Sequence, residues 1–314
     1  MRIAFFGTSE FAVPILEAMA QGPWRPVLVI TTPDAPAGRG RILKPPPAKD
    51  TADRLGIPVI QPGTLSPIPP AFSAELFDFF IVAAYGKILP PGLLKIPKSG
   101  SLNVHPSLLP RWRGPSPIQY AILNGDTETG VTVMVMDEKV DHGPILKSSK
   151  VKVQSSKVTT PELTRKLSKL GADLLLETIP DWLAGRIRPV AQDESQATYS
   201  KILRKEDGHI DWLKSAQEIE REVRAFTPWP GAYAFWQRGV NRLRLAVEGA
   251  EAKSQRVKDK GQRAGAVFED NRALGVETGD GVLVIERLRP AGRKPMSGED
   301  FLRGYPDIVG SVLG

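Results

Sequence analysis

The feature that most restricts the fold is a change of rhythm near residue 190. Before it, short apolar runs alternate with amphipathic segments; after it, short runs follow one another, punctuated by glycine. The early runs are RIAFFGT, PVLVITT, IPVIQP, FDFFIVAAYG, GSLNVHPS and TGVTVMVMD. Largely apolar rather than strictly alternating, they read as strands buried on both faces of a mainly parallel sheet. Between them, SEFAVPILEAMA places Phe11, Ile15, Leu16 and Met19 at helical spacing, with Ser9 as a candidate N-cap. KDTADRLG and SPIQYAILNG also read as helices, and TPELTRKLSKLGADLLLETIPDWLAG predicts one over 160–185. There Thr160 caps, Pro161 takes the first position, and Leu163, Leu167, Leu170 and Leu174 form the buried stripe. This alternation predicts an α/β, doubly wound domain with a mainly parallel sheet, whose ligand lies beyond the carboxyl ends of the strands. Residues 33–49 hold too much Gly and Pro to predict a regular element.

The second half reads differently. VAQDESQATYSKILRKEDGHIDW is polar and aperiodic, and residues 190–208 are expected to be a linker between domains 1–189 and 209–314. SAQEIEREVRAF opens with a capping-box pattern, Ser215 to Glu218. Then come GAYAFWQRG, NRLRLAVEGAEA, AGAVFEDN, RALGVETGDG and VLVIERLRP. Five short strands within about 80 residues predict a small OB-like β-barrel.

Composition closes several routes. The 314 residues include no cysteine, which excludes disulfides, thiolate catalysis and cysteine-ligated metal. Three histidines without HxxxH or HxH spacing give no metal-ligand pattern, so no metal is expected. No apolar run reaches the roughly 18 residues that span a bilayer. The start, MRIAFFGTSEFAV, lacks the pattern of a signal peptide, so a cytoplasmic protein is expected. GTSEFA after the first strand is not GxGxxG, which argues against a dinucleotide site. The formal charge of +7 is clustered. Segment 39–49 carries Arg39, Arg41, Lys44 and Lys49 with no acid. Segment 238–263 carries Arg238, Arg242, Arg244, Lys253, Arg256, Lys258, Lys260 and Arg263 against Glu248, Glu251 and Asp259. Such clusters suit a polyanionic partner or a solvated loop.

Three polar residues carry the chemistry. Residues i and i+2 of a strand face one side, so Asn103 and His105 project together from the end of GSLNVH. Asp141 follows the strand TGVTVMVMD, and two strands ending at one sheet edge would bring it to them. A histidine can move protons near neutral pH, a carboxylate can orient it, and an amide can donate to a developing oxyanion. The set suits attack on a carbonyl by a nucleophile that the substrate supplies. A strand-end Asn or His is more often structural. His142, in the turn before Gly143-Pro144, and His209, in the polar stretch, are read as structural.

The whole stretch NVHPSLLPRWRGPSPIQYAILNGDTETGVTVMVMDEKVDHGPIL resembles the signature of the formyltransferase family that uses 10-formyltetrahydrofolate. PDAPAGRGRILKPPPAK, VAAYGKILP, AFTPWPGAY and LRPAGRKPMSGEDFLRG are similar to the branch that formylates methionine on initiator tRNA. The resemblance implies that Asn103, His105 and Asp141 are the catalytic triplet. It implies a folate site along Tyr85, Gly86, Ser107, Leu108, Leu109 and Pro110. It also implies that an inserted loop, 33–49, contacts tRNA through Arg39, Arg41 and Lys44, while the barrel adds Arg242 and Arg244. The implied partners are the folate co-substrate and charged initiator tRNA; separately, a monomer is expected, although no pattern in the sequence specifies the oligomeric state. Arg111-Trp112-Arg113 reads equally as a tRNA-seating surface or as a packed loop. Two other readings stay open: a relative acting on a sugar nucleotide or hydrolysing the folate, and a nucleic-acid-binding module with an inert first domain.

Overall fold

A computed structural model describes residues 1–37, 40, 42–69, 72, 76–153, 157–253 and 263–314. In chain order the strands and helices begin with β1 (Ile3–Gly7), α1 (Ala12–Gln21), β2 (Leu28–Ile30), β3 (Ala35–Ala37), β4 (Ile42–Lys44) and α2 (Pro47–Leu55). Next come β5 (Val59–Ile60), β6 (Phe79–Ala83), α3 (Pro91–Leu94), β7 (Ser101–His105), α4 (Pro117–Leu123), β8 (Glu128–Val135), β9 (Ile145–Lys152) and α5 (Thr160–Leu183). After them lie α6 (Ala216–Ala225), β10 (Ala232–Arg238), β11 (Asn241–Lys253), β12 (Val267–Asp270), β13 (Ala273–Glu277), β14 (Val282–Pro290), β15 (Met296–Ser297) and α7 (Gly298–Gly304). The chain divides into two compact units. The first is Met1–Ile118, Thr127–Val153 and Glu162–Lys201; the second is Gln119–Asp126, Gln154–Pro161 and Ile202–Gly314.

The first unit is built on a sheet of order β5-β2-β1-β6-β7-β8-β9. Strands β5, β2, β1, β6 and β7 run parallel, as the continuous apolar runs predict. The chain winds outward from β1 to β2 and β5 and returns to β6, so the switch in direction falls between β1 and β6. Two close approaches explain small residues. A Cβ on Gly7 would meet the Phe5 ring at 2.5 Å and Ala12 Cβ at 2.8 Å. A Cβ on Gly171 of α5 would meet Val104 Cγ1 at 2.9 Å. Val104 therefore faces α5, and its neighbours Asn103 and His105 face the other side of β7. One core cluster of this unit joins Phe6, Phe72, Phe77, Phe80 and Tyr85, with ring centroids 5.1 Å apart at Phe6–Phe80. Fully burying one such ring contributes about 1.5–3 kcal/mol.

Four expectations change. β8 pairs antiparallel with β7, Leu102 opposite Val135 and His105 opposite Thr132. Its carboxyl end thus lies beside the start of β7, not beside His105; apolar periodicity carries no direction. Segment 33–49 contains a two-stranded ribbon, β3 with β4, and the first residues of α2. Both strands of a lone ribbon are edges, where Pro36 is tolerated. α1 starts at Ala12 without a side-chain cap, the Ser9 carbonyl accepting from Ala12 N instead. Residues 190–201 belong to the first unit rather than to a linker.

The second unit is an antiparallel sheet of order β10-β11-β14-β13-β12, with β15 added to β14. β11 shifts register around Gly249, a bulge of the kind that bends a long strand. The four last residues join its free edges. Phe235 of β10 exchanges backbone hydrogen bonds with Gly314 at 2.6 and 2.9 Å, and Val267 of β12 donates to the Ser311 carbonyl at 2.9 Å. The result is a closed, OB-like barrel around Trp236, Val247, Leu288, Phe301 and Leu313. Ser215 and Glu218 form the expected capping box at the start of α6.

Candidate active site

β7 sets two groups on one face at its carboxyl end. Asn103 and His105 are both buried, 8% and 4% exposed. Asp141 reaches them through the connection from β8 to β9. Asn103 Nδ2 donates to Asp141 Oδ1 at 3.2 Å. Asp141 Oδ1 stands 3.6 Å from His105 Nδ1. Gly114 N donates to Asp141 Oδ2 at 2.8 Å. The three sequence-predicted residues are therefore brought together, by a returning loop rather than by two strand ends.

The second nitrogen of His105 fixes its role. Nε2 lies 3.0 Å from the Trp112 carbonyl oxygen. A carbonyl only accepts, so Nε2 carries a hydrogen and donates it. Nδ1 is left facing Asp141. In the neutral ring it is a base; in the charged ring it is a donor. A reacting atom between Asn103 Nδ2, His105 Nδ1 and Asp141 Oδ1 would meet one donor, one proton carrier and one carboxylate. Two backbones are bent to achieve this. Asp141 has φ 49° and Trp112 has φ 59°, both in the left-handed region. Such conformations cost about 1–3 kcal/mol each and persist where surrounding bonds hold them.

Those bonds come from a stretch that local pattern does not single out. Arg113, 1% exposed, donates from Nε to Gln192 Oε1 at 3.0 Å and from its other nitrogens to Glu194 at 2.6 and 3.1 Å. These hydrogen bonds hold the Glu194 carboxyl below its ordinary range and push Arg113 up. Gln192 Nε2 donates to the carbonyls of Asp141 and Gly143 at 2.9 and 2.8 Å. Trp112 N donates to Thr198 Oγ1 at 2.9 Å. In the 111–113 segment, Arg113 and Trp112 are thus packed parts of the loop. Arg111 is exposed and lies over the Trp112 ring at 4.4 Å.

The expected folate-site residues fall into two groups. Ser107 is buried, with Oγ donating to the Arg111 carbonyl, and Leu109 is buried with its N–H on Thr132 Oγ1. Leu108 and Pro110 are half-buried in the same turn. Tyr85 points into the apolar cluster beside Phe6, where burial pushes its hydroxyl up to about 12. Its carbonyl accepts from Thr8 Oγ1, and Gly86, at φ 84°, is exposed. Of the expected tRNA contacts, Arg39 and Arg41 lie outside the described residues. Lys44 is exposed on β4. Lys49 is held by Asp34, whose carboxyl is lowered by hydrogen bonds from Gln61 and Lys49.

In the second unit, Arg242 sits 3.8 Å over the Phe235 ring and Arg244 4.0 Å over Tyr233. His209 stacks obliquely on both rings. This barrel face offers cations and aromatic surfaces together, the pairing that single-stranded or exposed nucleotides use. His142 contacts Asp137 Oδ2 at 2.6 Å through Nδ1, outside the triplet. Among the described residues no group of three or more His, Asp or Glu is placed to hold a metal ion.

Comparison with known proteins gives three findings. Residues 1–179 match the formyl transferase family, and residues 202–306 match the formyl transferase C-terminal domain. The methionyl-tRNA formyltransferase of Roseiflexus castenholzii is 45% identical over 319 residues, covering 100% of this chain and 99% of that protein. That of Listeria monocytogenes is 41% identical over 307 residues, covering 96% and 95%. Among solved structures, an N-formyltransferase of Helicobacter canadensis in complex with folinic acid and dTDP-3-aminofucose aligns with a TM-score of 0.66. It covers 91% of this chain and 98% of that one at 19% identity, a likeness of fold.

Proposed function

This chain belongs to the formyl transferase family, and from that premise we propose that it transfers a formyl group from 10-formyltetrahydrofolate to the α-amine of methionine on initiator tRNA. The product is the formylated methionyl-tRNA with which translation starts. The observation that carries this reading is the triplet, with Asn103 and His105 buried: Asp141 Oδ1 at 3.2 Å from Asn103 Nδ2 and 3.6 Å from His105 Nδ1.

The chemistry follows from those atoms. The amine nitrogen attacks the formyl carbon, and a bond forms as the carbonyl π pair moves to oxygen. Asn103 Nδ2 has a second hydrogen, free of Asp141, to give to that oxygen. His105 in its charged form donates from Nδ1. Preorganised donors of this kind are where acyl transfer gains most of its rate. Collapse breaks the bond from carbon to the folate nitrogen. One proton leaves the attacking amine and one reaches the folate nitrogen. Asp141 Oδ1 and His105 Nδ1 are the groups that face the reacting atoms and can carry them. The folate would lie against the 107–110 turn and the Tyr85–Gly86 turn. Because Ser107, Leu109 and Tyr85 bury their side chains, backbone groups would make those contacts. The tRNA would meet Lys44 on the ribbon and Arg242 and Arg244 on the barrel, with affinity that falls steeply with salt.

We read the protein as a monomer, since all three triplet residues lie in one chain, and a charged-tRNA substrate supports the reading of a cytoplasmic enzyme. The test is formyl transfer from labelled 10-formyltetrahydrofolate to methionine-charged initiator tRNA. Wild type should transfer, and Asp141→Asn should lose about 10²–10⁴-fold in kcat. No transfer to tRNA, with a sugar amine formylated instead, would overturn the reading.

A further inference from the structure

The stretch 192–200 braces two loops of the first unit at once. Thr198 accepts from Trp112 N through its hydroxyl, and its carbonyl accepts from Arg113 N at 2.9 Å. Ser200 N and Oγ both donate to the Arg113 carbonyl, at 2.7 and 3.0 Å. A Cβ on Gly114, at φ 103°, would meet the Ser200 carbonyl at 2.7 Å, so the two segments lie in direct contact. These bonds fix the loop whose Trp112 carbonyl holds His105. Gln192 fixes the other loop. Arg113 Nε can only donate, so the oxygen of the Gln192 amide must face it, and the nitrogen must face the carbonyls of Asp141 and Gly143. The amide has no freedom to flip. Its two hydrogens span the turn in which Asp141 holds φ 49°. Arg113 is oriented in turn by Glu194 and by the Tyr199 hydroxyl at 3.1 Å.

We propose that Gln192 is a positioning residue for formyl transfer: it holds Asp141 at its distance from His105 and Asn103, and touches no substrate itself. The inference rests on the function proposed above, and it adds a residue that the triplet does not contain. A side chain that clamps two carbonyls on either side of His142 controls where the Asp141 carboxylate points. A misplacement of about 1 Å at a reacting group costs about 10²-fold in rate.

Two variants test it. Gln192→Met keeps the volume and removes every hydrogen bond. Gln192→Glu keeps an acceptor for Arg113 but sets an oxygen against the two carbonyls. Both should lower kcat about 10²-fold and leave KM for folate and for charged tRNA within about twofold. A second readout needs no substrate. The chain has three histidines, so nitrogen-15 histidine spectra resolve each ring, assigned with His142→Gln and His209→Gln. The His105 ring signals should move in both Gln192 variants while those of His209 stay. Unchanged kcat with unmoved His105 signals would overturn the proposal, as would a KM rise that accounts for the whole loss. If neither variant folds, Gln192 is a structural residue and the proposal fails. Should the wild type not formylate charged tRNA, the activity reading falls, while the His105 spectra still decide the role of Gln192.

Discussion

At the scale of the residue, the site depends on donors whose partners leave them no choice. Asn103 Nδ2 gives one hydrogen to Asp141, and in the proposed mechanism its other hydrogen goes to the substrate oxygen. Asn103→Ala should therefore cost about 10²–10³-fold in kcat, the measured order for losing one oxyanion donor. Asn103→Asp, with no hydrogen to give at neutral pH, should cost at least as much; single-turnover transfer to charged tRNA would measure both. A loss below about threefold would remove Asn103 from oxyanion binding. The placement of Asn103 and His105 on one face was legible, because a period of two on a strand is a local property. Gln192, Arg113 and the Trp112 carbonyl were not. The partners of Gln192 and Arg113 lie up to 87 positions away, as between Arg113 and Ser200, and the Trp112 backbone is held by Thr198, 86 positions on; no spacing along the chain marks such a bond.

At the scale of the element, local chemistry and tertiary choice separate cleanly. The α6 capping box was readable from Ser215 and Glu218 because it is closed within four residues. Ser215 Oγ accepts from Glu218 N while Glu218 accepts from Ser215 N and Oγ. Ser215→Ala should lower the stability of the second unit by about 1 kcal/mol in denaturant unfolding. The box also predicts a pH response. Hydrogen bonds from the Ser215 hydroxyl and backbone hold the Glu218 carboxyl below its ordinary 4.5. The folded chain thus favours the ionised form. The contribution is full above pH 4.5 and is lost as pH falls through the lower, folded value. Glu218→Gln should flatten that part of the stability curve; a curve that keeps its slope would show that the contribution lies elsewhere. By contrast, the direction of β8 and the ribbon β3–β4 were misread. An apolar run fixes burial but not direction, and a lone ribbon tolerates proline that a central strand rejects.

At the scale of the molecule, the OB-like barrel was legible in its five short strands, but the seam that closes it was not, because residues 311–314 are too few to show a period. The seam they make predicts a large effect from a small change. Leu313 is 4% exposed in the barrel core, and Leu313→Ala should cost about 2–5 kcal/mol. In hydrogen exchange, removal of 311–314 should strip protection from the amides of Phe235 and Val267, which lose Gly314 and Ser311 as partners. Protection that survives would mean the barrel closes by other contacts. The two-part organisation itself was visible as the change of rhythm near residue 190, but its boundary was not. The polar composition of 190–208 reads as a tether, whereas 192–200 is hydrogen-bonded to both loops that hold the triplet. That placement bears on how such genes can be recombined. The two family matches leave residues 180–201 between them, the natural place to cut when shuffling one half against another. A crossover upstream of Gln192 would pair a catalytic half with a foreign brace, and the hybrid would inherit Asn103, His105 and Asp141 while losing what aims them. Exchange should be tolerated only at junctions after Lys201.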